Sequence, residues 1–153
     1  MYKRILVPVD GSATSNKALA AGLQLARESG GQVRILHTMD QVAYLSGFDD
    51  NGEVIKVTRQ NAAKVLDDAM EIAKASGVPA DQQLIDLPGQ RLGQAVSDAA
   101  LAWQADLLVV GTHGRRGIGR VLMGSGAEQV VRMAPVPVLV IRADARGPGF
   151  DLA

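Results

Sequence analysis

Five apolar strand-like segments alternating with four helical ones predict an α/β domain, an open five-stranded parallel sheet with helices on both faces. Two further observations point the same way. The segment at residues 5–9 is short and almost wholly apolar, as in strands buried on both faces. A glycine-rich stretch follows the fourth strand, and open parallel sheets keep their ligand crevice beyond the carboxyl ends of the strands.

The elements follow in order. Residues 5–9 read ILVPV, and Asp10-Gly11-Ser12 turns the chain. From Ala13 to Ser29, Ala18, Leu19, Gly22, Leu23, Leu25 and Ala26 fall at helical spacing, with Ser12 or Thr14 as cap and Gly30-Gly31 as terminator. Residues 32–38 alternate and then run apolar, which gives a second strand. Residues 39–56 are polar, with Gly47, Asp49, Asp50, Asn51 and Gly52, and read as an excursion outside the core. Residues 57–76 form a second helix, with Ala62, Val65, Leu66, Ala69, Ile72 and Ala73 on one stripe and Gly77-Val78-Pro79 at its end. Residues 82–87 are the third strand, and Pro88-Gly89 turns the chain. A third helix, 92–103, places Leu92, Ala95, Val96, Ala99, Ala100 and Trp103 inward. The fourth strand, 106–110, leads into the glycines of 111–126. Residues 127–133 are helical, and Pro135-Val136-Pro137 introduces the fifth strand. The expected organisation is one domain, residues 1–143, and a flexible tail, 144–153.

Composition narrows the function. With 153 residues, 47% of them hydrophobic, the chain buries one core without staples. It has no cysteine, which excludes disulfides, thiolate metal sites and cysteine nucleophiles. Sixteen basic residues balance sixteen acidic ones and aromatics make up 3%, so neither the charge nor the stacking surface of a nucleic-acid binder is present. No secretory signal and no apolar run of membrane-spanning length is read, so the expected location is the cytoplasm, with no membrane partner.

The chemistry lies in Gly111-Thr112-His113-Gly114-Arg115-Arg116-Gly117-Ile118-Gly119-Arg120-Val121-Leu122-Met123-Gly124-Ser125-Gly126. Glycines let backbone approach a ligand, successive N–H groups form an anion cradle, and the next helix adds its positive end. No lysine follows the glycines, so this is not a P-loop, and its place after the fourth strand is not that of a dinucleotide fingerprint. Taken alone, the stretch reads equally as a phosphate cradle or as plain turns.

Gly111-x2-Gly114-x9-Gly124-Ser125 resembles the signature of the ATP-binding branch of the universal stress proteins. Residues 5–12, ILVPVDGS, resemble that family's first strand and turn, Leu36-His37-Thr38 the end of its second strand, and residues 135–141, PVPVLVI, its last strand. The resemblance implies a Rossmann-like sheet of the adenine nucleotide alpha hydrolase type, with ATP at its carboxyl edge and Mg²⁺ bridging phosphate oxygens. It implies that Asp10 accepts from the ribose hydroxyls, that Pro8 and Val9 line the adenosine pocket, and that the Thr38 backbone reads the adenine edge. Gly111 would lie against the ribose, while Gly114, Arg115, Gly124, Ser125 and Gly126 hold phosphates. His113, within the same stretch, reads by itself as structural or backbone-supporting. The resemblance also implies a homodimer through the last strand, alongside protein partners of unknown identity.

Plainer readings stand beside these. Asp10 is equally a cap or the acceptor of an Asx-turn. Ser12 reads as a cap rather than a nucleophile, His37 as backbone support, Trp103 as core, and Asp67, Asp68 and Glu71 as solvated surface. No catalytic triad or carboxylate pair is legible, so the expectation is a nucleotide-dependent stress-response regulator or sensor with slow hydrolysis at most. The alternatives are an ATP-using enzyme and a nucleotide-free dimeric scaffold. The enzyme reading is disfavoured because residues 10–15, DGSATS, lack the glycine-rich loop of ATP pyrophosphatases.

Overall fold

The computed structural model describes residues 1–39, 52–86, 89–112 and 125–142. Its elements are β1 (Arg4–Pro8), α1 (Ala13–Ser29), β2 (Gln32–Thr38), α2 (Glu53–Ser76), β3 (Ala80–Ile85), α3 (Leu92–Trp103), β4 (Leu107–Gly111), α4 (Ser125–Met133) and β5 (Val138–Ile141). The strands form one parallel sheet in the order β3-β2-β1-β4-β5. The expected fold class is therefore the observed one, with β5 at a sheet edge.

The sheet separates two cores because strand side chains alternate. Ile5 and Val7 of β1, with Val33, Ile35, Leu107 and Val109, face α1 and α2. Leu6, Leu36, Leu108 and Val110 face the opposite way, onto α3 and α4. α1 lies close on the first face. A Cβ added at Gly22 would stand 2.9 Å from Val7 Cγ2, so close packing offsets the roughly 1 kcal/mol that glycine costs within a helix.

Local chemistry sets the ends of α1. The Ser12 hydroxyl accepts from the Ser15 amide at 3.2 Å. At the other end Gly30 takes the left-handed conformation, φ 71°, that only glycine adopts cheaply. At the amino edge of the sheet, the Asp106 carboxylate accepts from the Lys3 and Arg4 amides at 2.8 and 3.0 Å, and the Asp106 amide donates to the Arg4 carbonyl. These bonds fix β1 against β4. Trp103 is buried as expected, and the guanidinium groups of Arg4 and Arg34 lie 4.3 and 4.9 Å from its ring centre. The Arg34 guanidinium is bidentate to Asp81, and this hydrogen bond, opposed by partial burial, raises its pKa above the ordinary arginine value.

Several boundaries differ from the sequence reading. α2 begins at Glu53 rather than at residue 57, because the left-handed Gly52 opens a helix whose first turns carry exposed Val54 and Val57 and so show no inward stripe. Ile72, expected inward, is exposed at the flank of that stripe. β3 starts and ends two residues early, β1 and β4 shift by one, α4 starts two residues sooner, and β5 stops at Ile141. Residues 40–51 and the tail, 144–153, lie outside the described residues. No helix among the described residues is long and apolar enough to cross a membrane.

Candidate functional site

In this strand order the connections leave β1 toward β2 on one side and reach β4 on the other, so the order reverses between β1 and β4. Such a reversal opens a crevice at the carboxyl edge. Each strand there runs on toward the amino end of the next helix, so the positive ends of the helix dipoles face the same edge.

On one wall stand Pro8, Val9 and Asp10. Pro8 is level with Leu36 of β2. The Val9 side chain is buried in the core beneath α1 and α2, so what Val9 offers the edge is its backbone. Its amide donates to the Leu36 carbonyl at 2.7 Å, and its carbonyl is 2.7 Å from His37 Nδ1. Thr38 closes β2 beside it, level with Ile85 of β3.

Asp10 begins a network at the start of α1. Its Oδ1 accepts from the Ser12 amide at 2.9 Å, an Asx-turn, which is one of the two readings left open by the sequence. An ionised carboxylate offers about four acceptor sites, so the turn and a ligand contact are chemically compatible. The Asp10 amide donates to Ser15 Oγ at 3.3 Å, and that hydroxyl donates to the Ser12 carbonyl at 3.1 Å. Sequence reasoning missed Ser15. Its signal was the Ser12-x-x-Ser15 spacing, a variant of the reciprocal capping pattern in which the second side chain reaches back beyond the cap.

On the other wall, Gly111 ends β4, level with Ile141 of β5, and the Thr112 amide donates to the Ile141 carbonyl at 2.9 Å. Gly111 is also where α1 presses on the sheet. A Cβ there would lie 2.7 Å from Thr14 Cγ2 and 3.1 Å from the Thr14 carbonyl oxygen. This glycine therefore admits the first turn of α1 to the crevice.

Ser125 and Gly126 form the first turn of α4. A Cβ on Gly126 would meet Leu92 Cδ2 at 2.7 Å, which sets the amino ends of α3 and α4 side by side. The Gly93 amide donates to Gln129 Oε1 at 3.2 Å across the same contact. Of the residues singled out by sequence, Pro8, Val9, Asp10, Thr38 and Gly111 thus share the edge of three adjacent strands, and Ser125 and Gly126 open a helix. His113, Gly114, Arg115 and Gly124 lie outside the described residues.

The sequence profile of the universal stress protein family matches residues 1–142. A universal stress protein of Thermus aquaticus is 34% identical over 142 residues, covering 93% of this chain and all of the relative. A universal stress protein solved in complex with cAMP is similar at 28% identity and a TM-score of 0.68, covering 92% of this chain and 97% of that one. The universal stress protein of Archaeoglobus fulgidus in complex with dAMP is similar at 25% identity and a TM-score of 0.70, covering 92% and 98%.

Proposed function

Because the chain belongs to the universal stress protein family, we propose that it binds an adenine nucleotide, ATP with Mg²⁺, in the crevice between β1 and β4, and acts as a nucleotide-dependent stress-response regulator. The observation that carries this reading is the reversal of strand order at that crevice, with the first turn of α1 admitted by Gly111. The two similar structures that hold cAMP and dAMP support the adenine class.

In this reading the Thr38 backbone meets the adenine edge and Pro8 and Val9 border the adenosine. Asp10 accepts from the ribose hydroxyls. Gly114, Arg115, Gly124, Ser125 and Gly126 hold the phosphates, with His113 supporting the loop. The residues fit such a ligand in kind, since one carboxylate suits the ribose hydroxyls and helix amino ends suit the phosphates. Mg²⁺ would be held mainly by phosphate oxygens and water.

Calorimetric titration with Mg-ATP, ADP, AMP and GTP, repeated on Gly114→Val, tests the proposal. Binding of adenine nucleotides that the substitution abolishes is the expected result. No binding by folded, nucleotide-free protein would refute it and leave the scaffold reading. We further propose a homodimer through β5, an edge strand with Leu139 exposed. Light scattering at micromolar concentration should give twice the chain mass, and a single-chain mass would exclude it.

A further inference from the structure

We propose that His37 is a positioning residue of the crevice: its Nδ1–H holds the Val9 carbonyl and thereby fixes the peptide that presents Asp10. The inference rests on the nucleotide reading above for its effect on affinity, but the geometry behind it stands apart from any ligand.

The Val9 carbonyl lies 2.7 Å from His37 Nδ1. A carbonyl oxygen only accepts, so the proton of this bond sits on Nδ1. A neutral His37 is therefore the Nδ1–H tautomer, set by the backbone rather than by solvent. The Val9 amide is also occupied, donating to the Leu36 carbonyl. Both polar groups of Val9 are thus held by consecutive residues of β2, one through backbone and one through a side chain. β1 itself ends at Pro8, so the imidazole continues the β1–β2 tie one residue past the last strand pair.

That extra residue matters because Asp10 is next. The peptide between Val9 and Asp10 has its carbonyl on His37 and its amide on Ser15 Oγ, so it is gripped from both sides. With the peptide plane fixed, the Asp10 side chain leaves the backbone in one direction, and its Oδ1 reaches the Ser12 amide. Without His37 the carbonyl would turn toward water and the Asp10 carboxylate would sample other orientations. His37 needs no contact with the ligand for this; it acts through Asp10.

The substitutions that separate positioning from bulk are His37→Asn, His37→Gln and His37→Ala. The Asn side-chain N–H occupies nearly the place of Nδ1–H, whereas the Gln N–H reaches the place of the Nε2 side. Asn is expected to keep adenine-nucleotide affinity near wild type. Gln and Ala are expected to weaken it about three- to tenfold, the range of one hydrogen bond. Two readouts need no nucleotide. Nitrogen-detected imidazole spectra should show the proton of neutral His37 on Nδ1. Amide exchange at Asp10 and Ser12 should be slow in wild type and His37→Asn and faster in His37→Gln and His37→Ala.

An Nε2–H tautomer, or unchanged exchange in His37→Ala, would overturn the proposal. Equal loss of affinity in all three variants would overturn it as well, because the Asn variant restores the donor. If wild-type protein binds no nucleotide, the proposed function fails while the tautomer and exchange data still decide the role of His37.

Discussion

Replacing Gly111 by alanine tests the contact that brings α1 to the crevice. The new Cβ would stand 2.7 Å from Thr14 Cγ2, and reaching an ordinary separation of 3.4 Å needs about 0.7 Å of movement. The methyl cannot turn away from the contact altogether, since the Thr14 carbonyl oxygen and carbon are 3.1 and 3.2 Å from the same point. Part of the strain therefore falls on the first turn of α1, which carries the bonds to Asp10. Overpacking of this kind costs about 1–3 kcal/mol. At ~2–4 °C per kcal/mol for a chain of this size, the melting temperature should fall by about 2–12 °C. Thermal denaturation followed by circular dichroism measures it, with Thr14→Ser as the partner in a double-mutant cycle. Serine removes the nearest atom but leaves the backbone contacts, so it should recover part of the loss, with a coupling of about 1 kcal/mol. A melting temperature within about 1 °C of wild type, or strict additivity in the double mutant, would refute the reasoning.

The remaining predictions concern the cap and the two cores. Ser12→Ala removes the acceptor for the Ser15 amide and should cost about 0.5–2 kcal/mol in urea denaturation, with Ser12→Asp restoring most of it. Leu6 is 0% exposed between β1 and the α3–α4 layer, so Leu6→Ala should cost about 2–5 kcal/mol, whereas Leu101→Ala, at a site 61% exposed, should stay within about 0.5 kcal/mol. Comparable losses for these two leucines would contradict the assignment of the second core.

What the sequence revealed followed from how local each signal was. α1 was legible to the residue because its cap, its apolar stripe and its left-handed glycine all lie within the segment. The start of α2 was hidden because Val54 and Val57 point to solvent, and a helix turn without a buried face has no periodic mark. Of the crevice residues, the place of Gly111 after the fourth strand followed from the strand–helix alternation, while Pro8, Val9, Asp10 and Thr38 followed from the family resemblance. Their division of labour did not. Nothing in the pattern says that Val9 offers backbone rather than side chain, or that Gly111 answers Thr14, because each depends on what another strand or helix puts opposite it. Asp10 was left between a role at the start of α1 and a ribose contact, and the Asx-turn is present.

The central place of β1 also governs when the crevice can exist. Asp106, whose carboxylate ties down the Lys3 and Arg4 amides, lies 103 residues beyond Lys3. A ribosome adding roughly 5–20 residues per second needs about 5–20 s to cover that interval. Throughout it one flank of the Ile5–Leu6–Val7 backbone has no strand to pair with, and the nascent chain presents an apolar template to its surroundings. Any ligand of the crevice must wait as well. It can stabilise the finished sheet, but it cannot guide the amino-terminal half toward it, so protection during synthesis has to come from chaperones or from speed.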